Sequence, residues 1–175
     1  PKHKLKCWRL VVLSKNRNNM STIREALTNA KKQFTGSDTP SLDAQVLLEH
    51  VLDVDRSYLF AHDDEALTDD QNQQFQRGVK RRVKGEPIAY ITGTKGFYDL
   101  EFLVTPAVLI PRPETELLLE EALRLMQDIP DCIVADIGTG SGALAVTFAK
   151  QLPQSHVYAT DVSESALEVA TSNAH

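Results

Sequence analysis

A chain of 175 residues allows one domain or two small ones, and its 42% hydrophobic content suffices for a packed core. The net charge is −5 but unevenly spread: residues 1–19 hold six bases and no acid, which leaves the remainder more acidic by six charges. An acidic body argues against tight sequence-independent binding to nucleic acid, which needs a basic footprint. No stretch approaches the ~20 apolar residues of a membrane-spanning helix.

Residues 1–19, basic and without a clear period, read as an extension outside the fold with Met20 as the natural start, or alternatively as a basic targeting or RNA-binding arm. Leu10-Val11-Val12-Leu13 is too short for a signal-peptide core. Cys7 and Cys132 lack metal or redox spacing, so no metal site is expected and a reducing, cytoplasmic compartment is.

From Met20 the pattern turns helical. Thr22 with Glu25 spells a capping box and opens a first helix. A second starts at Ser41 and carries Leu42, Val46, Leu48, Val51 and Leu52 as its apolar face. A short third segment from Arg56 to Ala61 contributes Tyr58, Leu59 and Phe60. Thr68 with Gln71 caps a fourth, which places Phe75, Val79 and Val83 four apart as one buried stripe before Gly85-Glu86-Pro87 ends it. Four short helices make a small bundle over 20–90, whose histidines, His50 and His62, have no ligand-spaced partner.

Between Thr94 and Ile110 the chain reads as a hairpin, with Lys95–Tyr98 and Glu101–Val104 flanking Asp99-Leu100. Tyr90 and Phe97 are expected to pack the helical part against it. Ile110-Pro111-Arg112-Pro113-Glu114-Thr115-Glu116 then leads into a helix with Leu118, Ala122 and Met126 as its stripe. Glu114 and Glu116 suit the positive end of its dipole. Arg112 reads either as a surface guanidinium on a stiff turn or as part of a site.

From residue 132 the order is strand, helix, strand, helix, the signature of a parallel α/β sheet. The apolar run Cys132-Ile133-Val134-Ala135 leads into Asp136-Ile137-Gly138-Thr139-Gly140-Ser141-Gly142 and the helix from Ala143. Such a turn lets the backbone approach a nucleotide cofactor that any Cβ would push away. The strand His156–Thr160 ends in Asp161, placed to hydrogen-bond a ribose. Ser163 caps the last helix, with Ala166, Leu167 and Ala170 inside. The glycine spacing alone also satisfies a relaxed dinucleotide fingerprint, Gly138-x-Gly140-x-x-Ala143. Asp136 favours S-adenosylmethionine, whose near end is cationic, because a carboxylate there repels a pyrophosphate. At ~4 Å and an effective dielectric of 20, two unit charges interact by roughly 4 kcal/mol. Asp136 reads alternatively as an acid that only bonds its own loop.

Gly85-Glu86-Pro87-Ile88-Ala89-Tyr90-Ile91-Thr92-Gly93, Phe97, Leu109–Glu116 and Asp136–Gly142, in this order, resemble the bacterial peptide chain release factor protein-(glutamine-N5) methyltransferases. The resemblance runs from about Met20 to His175, and its first and third blocks are more specific than the glycine loop. It implies a helical substrate-docking domain (20–90), a hairpin linker (91–112) and the first part of a Rossmann-like methyltransferase domain (113–175). It further implies methyl transfer from S-adenosylmethionine to the glutamine amide of the Gly-Gly-Gln loop in class 1 release factors. By motif position Gly138, Thr139, Gly140, Ser141 and Gly142 would contact the cofactor and Asp161 its ribose, with the Ile-Pro-Arg-Pro block bordering the pocket. The family grips its amide with an Asn-Pro-Pro-Tyr motif, and no asparagine here precedes a proline. The expectation is therefore a chain truncated within its catalytic domain, inactive alone, with no catalytic residue to name. Two other functions stay open: an amino-methyltransferase acting on adenine in nucleic acid, and a non-catalytic module that binds release factor.

Overall fold

The computed structural model describes residues 21–126 and 129–175. The extension over 1–19, the start at Met20 and Cys7 lie outside the described residues.

Helix α1 (Ile23–Gln33) begins at the expected capping box: Thr22 Oγ1 accepts the Glu25 amide at 3.2 Å, and the Glu25 carboxylate accepts the Thr22 amide at 3.1 Å. Each bond satisfies a donor that a helix start leaves orphaned. The reciprocal pair at Thr68 and Gln71 opens α4 (Asp69–Val83). Between them lie α2 (Pro40–Leu52) and α3 (Arg56–Ala61), the latter capped by Asp55 on the Tyr58 amide.

Ile23, Leu47, Leu48, Leu59, Phe75 and Val79 are almost fully buried and form one core with Ala26, Ala30 and Ala44. Full burial of such a large apolar side chain stabilises by roughly 1.5–3 kcal/mol. Of the expected face of α2, Leu48 is buried and Val51 and Leu52 pack against the core, but Ala44 and Leu47 are buried too and Leu42 is 40% exposed. The expected stripe of α4 stops at Val79, because Val83 lies in the last turn and is exposed. In α3 only Leu59 is buried, and Phe60 faces solvent. His62 stacks on Tyr58 with ring centroids 4.0 Å apart, while His50 is exposed.

A fifth helix, α5 (Ile88–Thr92), was not expected. It follows Gly85, at φ +90°, and ends at Gly93, at φ +83°. Arg81 clamps this corner, reaching the Glu86 carboxylate and the Tyr90 carbonyl. Asp43 ties α2 to α4 by accepting from Ser37 Oγ (2.7 Å), Thr39 Oγ1 (3.2 Å) and Arg82 Nε (2.8 Å).

The hairpin pairs β1 (Thr94–Phe97) with β2 (Leu100–Leu103), Phe97 opposite Leu100. Its loop is therefore Tyr98-Asp99, one residue earlier than expected. Tyr98 has φ +57°, a left-handed conformation that glycine usually supplies, and its amide donates to Glu116 Oε1 at 2.8 Å. Phe97 and Phe102 meet edge to face and share a core with Leu119, Ala143 and Phe148. Phe97 thus packs the hairpin on the α/β half rather than on the helical part, contrary to expectation. Tyr90 does bridge: it packs against the small core formed by Val104, Val108, Ala166 and Val169, and its hydroxyl donates to the Val108 carbonyl at 2.6 Å.

Helix α6 (Pro113–Met126) buries Leu119, with Ala122, Leu123 and Met126 packed around it. Leu118, expected inside, is 61% exposed. Strands β3 (Ile133–Ile137) and β4 (His156–Thr160) pair in parallel, from Ile133 opposite His156 to Ile137 opposite Thr160. Helix α7 (Ala143–Gln151) connects them, and α8 (Glu164–Asn173) follows β4 with Ser163 Oγ accepting the Ala166 amide. Ala166, Val169 and Ala170 form the buried face of α8, while Leu167 is only half-buried. Ile133, Ile137 and Tyr158 leave one face of the parallel pair open to solvent. No described helix is long and apolar enough to cross a membrane.

Candidate functional site

The glycine turn folds where β3 ends beside β4. The Gly138 and Thr139 amides both donate to the Thr160 carbonyl, at 2.8 and 2.9 Å. This holds the start of the loop against the tip of the neighbouring strand. Gly138, Gly140 and Gly142 have φ of +79°, +56° and +80°, so each needs the freedom that a missing Cβ gives.

Their surroundings divide them. A Cβ at Gly138 or Gly140 would meet nothing within 4 Å, whereas one at Gly142 would sit 3.2 Å from the Ala170 Cβ. Gly142 is therefore a packing glycine that lets the start of α7 lie against α8. Gly138 and Gly140 border open space.

Asp161 is brought to the loop. Its Oδ2 accepts the Gly140 amide at 2.9 Å and its Oδ1 accepts the Ser163 amide at 2.9 Å. Those two amides, Ser163 first, hold the Asp161 carboxyl below the usual carboxylate range. Asp136 Oδ2 accepts from Thr139 Oγ1 at 2.7 Å, so it does bond its own loop. Each carboxylate oxygen offers about two lone pairs, so these bonds leave acceptor capacity on both acids. Ser141 is buried, and its carbonyl accepts from Asn173 Nδ2 at 2.8 Å.

Arg112 is exposed, its carbonyl accepting the Thr115 amide in the first turn of α6. Two residues escaped sequence reasoning. Glu116, read as a dipole acid, grips the hairpin turn. Asn173 holds the glycine loop and β2 together, and its signal was available: it follows Ala166, Val169 and Ala170 on the inner face of α8, where a polar group needs partners. Among the described residues no group of three or more His, Cys, Asp or Glu could hold a metal ion. A groove of about 750 Å³ lies between α2, α5 and the hairpin, lined among others by Val46, Glu49, Asp53, Ile88, Lys95 and Glu101.

The parallel strand–glycine turn–helix–strand unit, with an acid after the second strand, makes this part of the chain an α/β fold. Residues 113–175 match the family model of the ribosomal protein L11 methyltransferase (PrmA), so this half is the start of a methyltransferase fold. Residues 25–93 match the model described as the PrmC N-terminal domain. Release factor glutamine methyltransferases are homologues of this chain over most of its length. The one from Koribacter versatilis is 46% identical over 155 residues, 87% of this chain and 55% of that protein. The Coxiella burnetii protein is 48% identical over 156 residues, 89% and 56%. That from Escherichia coli K12 is 41% identical over 152 residues, 87% and 53%. The chain spans about half the length of these curated relatives.

Proposed function

We propose that the chain carries the docking part and the cofactor loop of an S-adenosylmethionine-dependent methyltransferase that modifies the glutamine side-chain amide in the Gly-Gly-Gln loop of class 1 release factors. The observation that carries this reading is Asp161 bound to the Gly140 amide at the tips of two parallel strands, in a chain whose homologues have that activity by name. In this reading 20–90 docks the release factor, 91–112 is the linker and 113–175 begins a Rossmann-like domain.

The residues present suit the cofactor. Two acids at adjacent strand tips, Asp136 and Asp161, favour a cationic ligand and repel a pyrophosphate, which weighs against a dinucleotide. The open space beside Gly138 and Gly140 suits close backbone approach. Gly138, Thr139, Gly140, Ser141 and Gly142 would line the cofactor, and the lone pairs left on Asp161 would take the ribose hydroxyls. When bound, the cofactor supplies an electrophilic methyl group on a sulfonium. The Thr139 hydroxyl holds Asp136 and the Ser163 amide holds Asp161, so both carboxylates are oriented before any ligand arrives.

An amide nitrogen is a poor nucleophile, its lone pair delocalised into the carbonyl. Acceptors for both of its hydrogens must hold it toward the methyl group, catalysis largely by positioning and electrostatics. No Asn-Pro pair occurs in these residues to do so. The amide grip thus has no representative in the chain, and in this reading the 175 residues alone bind cofactor without turning it over. The match of 113–175 to a methyltransferase of different name reflects a shared cofactor fold, while the linker blocks and the relatives favour the release factor.

Calorimetry tests the cofactor part. S-adenosylmethionine and S-adenosylhomocysteine should bind, and NAD should not. Binding of NAD alone would return the loop to the dinucleotide class.

A further inference from the structure

We infer that Asn173 is a positioning residue that locks the glycine loop to the hairpin, so that the loop that would hold cofactor and the linker that leads to the helical part move as one body. The inference rests on the reading of that loop as a cofactor loop. It begins from a strand edge. Thr94 stands opposite Leu103 at the open end of the two-stranded hairpin, and among the described residues no third strand pairs with the outer edge of β2. Unpaired edge groups need partners.

Asn173 supplies them. Its Oδ1 accepts the Leu103 amide at 2.7 Å and its Nδ2 donates to the Leu103 carbonyl at 3.0 Å, so the side-chain amide pairs with β2 as another peptide group would. The remaining Nδ2 hydrogen goes to the Ser141 carbonyl at 2.8 Å. One half-buried side chain thus uses both donors and its acceptor to join residues 38 positions apart in sequence, Leu103 and Ser141. No residue but asparagine offers both donors and an acceptor at this reach. Glutamine adds a methylene, aspartate loses the donors, and leucine loses all three.

The loop end of this lock is itself constrained. Ser141 lies between Gly140, whose amide Asp161 holds, and Gly142, whose Cα faces Ala170. Asn173 is one turn beyond Ala170 on α8, so the helix contacts the loop twice: through packing at Gly142 and through the hydrogen bond at Ser141. The hairpin end continues into the Val104–Val108 segment, which receives the Tyr90 hydroxyl from α5. The path from loop to helical part therefore runs Ser141, Asn173, Leu103, Val108, Tyr90, each step a contact or a short covalent stretch. A ligand that orders the loop would order the hairpin through the same side chain.

Amide hydrogen exchange on the full-length protein tests this, with S-adenosylhomocysteine as the probe, comparing the unsubstituted protein with Asn173→Ala and Asn173→Asp. Without ligand, Asn173→Ala should speed exchange at Leu103 and at Gly140 and Gly142 by roughly fivefold, the scale of one lost hydrogen bond. Asn173→Asp keeps the acceptor for Leu103 and loses the donors, so it should spare Leu103 relative to the loop amides. With ligand, the unsubstituted protein should gain protection at Leu103 as well as in the loop, and Asn173→Ala should gain it in the loop alone. Faster exchange at Leu103 with the loop amides unchanged would reduce Asn173 to a strap on the hairpin and overturn the proposal. Ligand-induced protection of Leu103 that survives in Asn173→Ala would overturn it too. If the ligand protects no loop amide in the unsubstituted protein, the cofactor reading fails, and the ligand-free comparison still decides whether Asn173 couples the two segments.

Discussion

The Gly140 amide donates to Asp161 Oδ2 at 2.9 Å, so the acid at the tip of β4 is part of the glycine loop before it is part of any ligand site. Two roles follow for one carboxylate, and two variants separate them. Asp161→Asn retains an acceptor for one backbone amide but no charge, while Asp161→Ala releases Gly140 and Ser163 together. If the proposed cofactor reading holds, Asp161→Ala in the full-length protein should weaken S-adenosylmethionine binding by about tenfold or more, the scale of a lost charge-assisted hydrogen bond. Asp161→Asn should lose less. Equal dissociation constants by calorimetry for all three folded proteins would leave Asp161 a loop strap only.

The same carboxylate sets a pH dependence. Its folded-state pKa lies below its ordinary value because the Ser163 and Gly140 amides favour the charged form. A depressed carboxylate pKa contributes stability that is fully present above the ordinary value, about 3.9, and is lost as pH falls through the lower folded value. Protection of the Gly140 amide, relative to its intrinsic exchange rate, should hold at pH 5 and fall under more acid conditions. Asp161→Asn should show no such step. A step in that variant equal to the unsubstituted one would assign it to another group.

Gly138 and Gly142, both at positive φ in the loop, should respond differently to alanine. Gly138→Ala meets open space and bears only the left-handed backbone cost, about 1–2 kcal/mol. Gly142→Ala adds the 3.2 Å contact with Ala170, and overpacking of this kind costs typically 1–3 kcal/mol more. Pairing Gly142→Ala with Ala170→Gly should recover part of the second loss and none of the first. Denaturant melts give the energies; equal losses at the two positions would contradict the division of the loop.

Asp43 and Arg82 make a largely buried ion pair with two hydroxyls on the same carboxylate. Removing one partner leaves the other desolvated, at a cost of about 3 kcal/mol for Asp43→Ala by denaturant melt. A loss under 1 kcal/mol would mean that water replaces the carboxylate freely.

Where the sequence carried a local chemical signal, the structure follows it. Both capping boxes are formed, because the bonds involved span three residues and need no tertiary partner. The parallel pair and the glycine turn are legible for a similar reason: their residues are contiguous and conformationally special. Failures occur where packing selects among equivalents. Leu117, Leu118 and Leu119 are three leucines in a row, and only the docking of α6 on Phe97, Phe102 and Phe148 chooses Leu119. Helix α5 has five residues between Pro87 and Gly93, too few for a period to register. The hairpin turn is displaced because Tyr98 accepts a left-handed conformation with Glu116, eighteen residues away, holding its amide. Asn173 signalled only that a polar group sits on the inner face of α8 and needs partners; which ones was not legible, since they lie 70 and 32 residues away.

Methyl transfer bears most directly on the central claim. The full-length protein, incubated with methyl-labelled S-adenosylmethionine and a purified class 1 release factor, should place label on the glutamine of the Gly-Gly-Gln loop. Replacing that glutamine should abolish labelling, and the 175-residue chain in parallel should transfer none. Label on an adenine-containing oligonucleotide instead, or on a release factor residue outside that loop, would contradict the account.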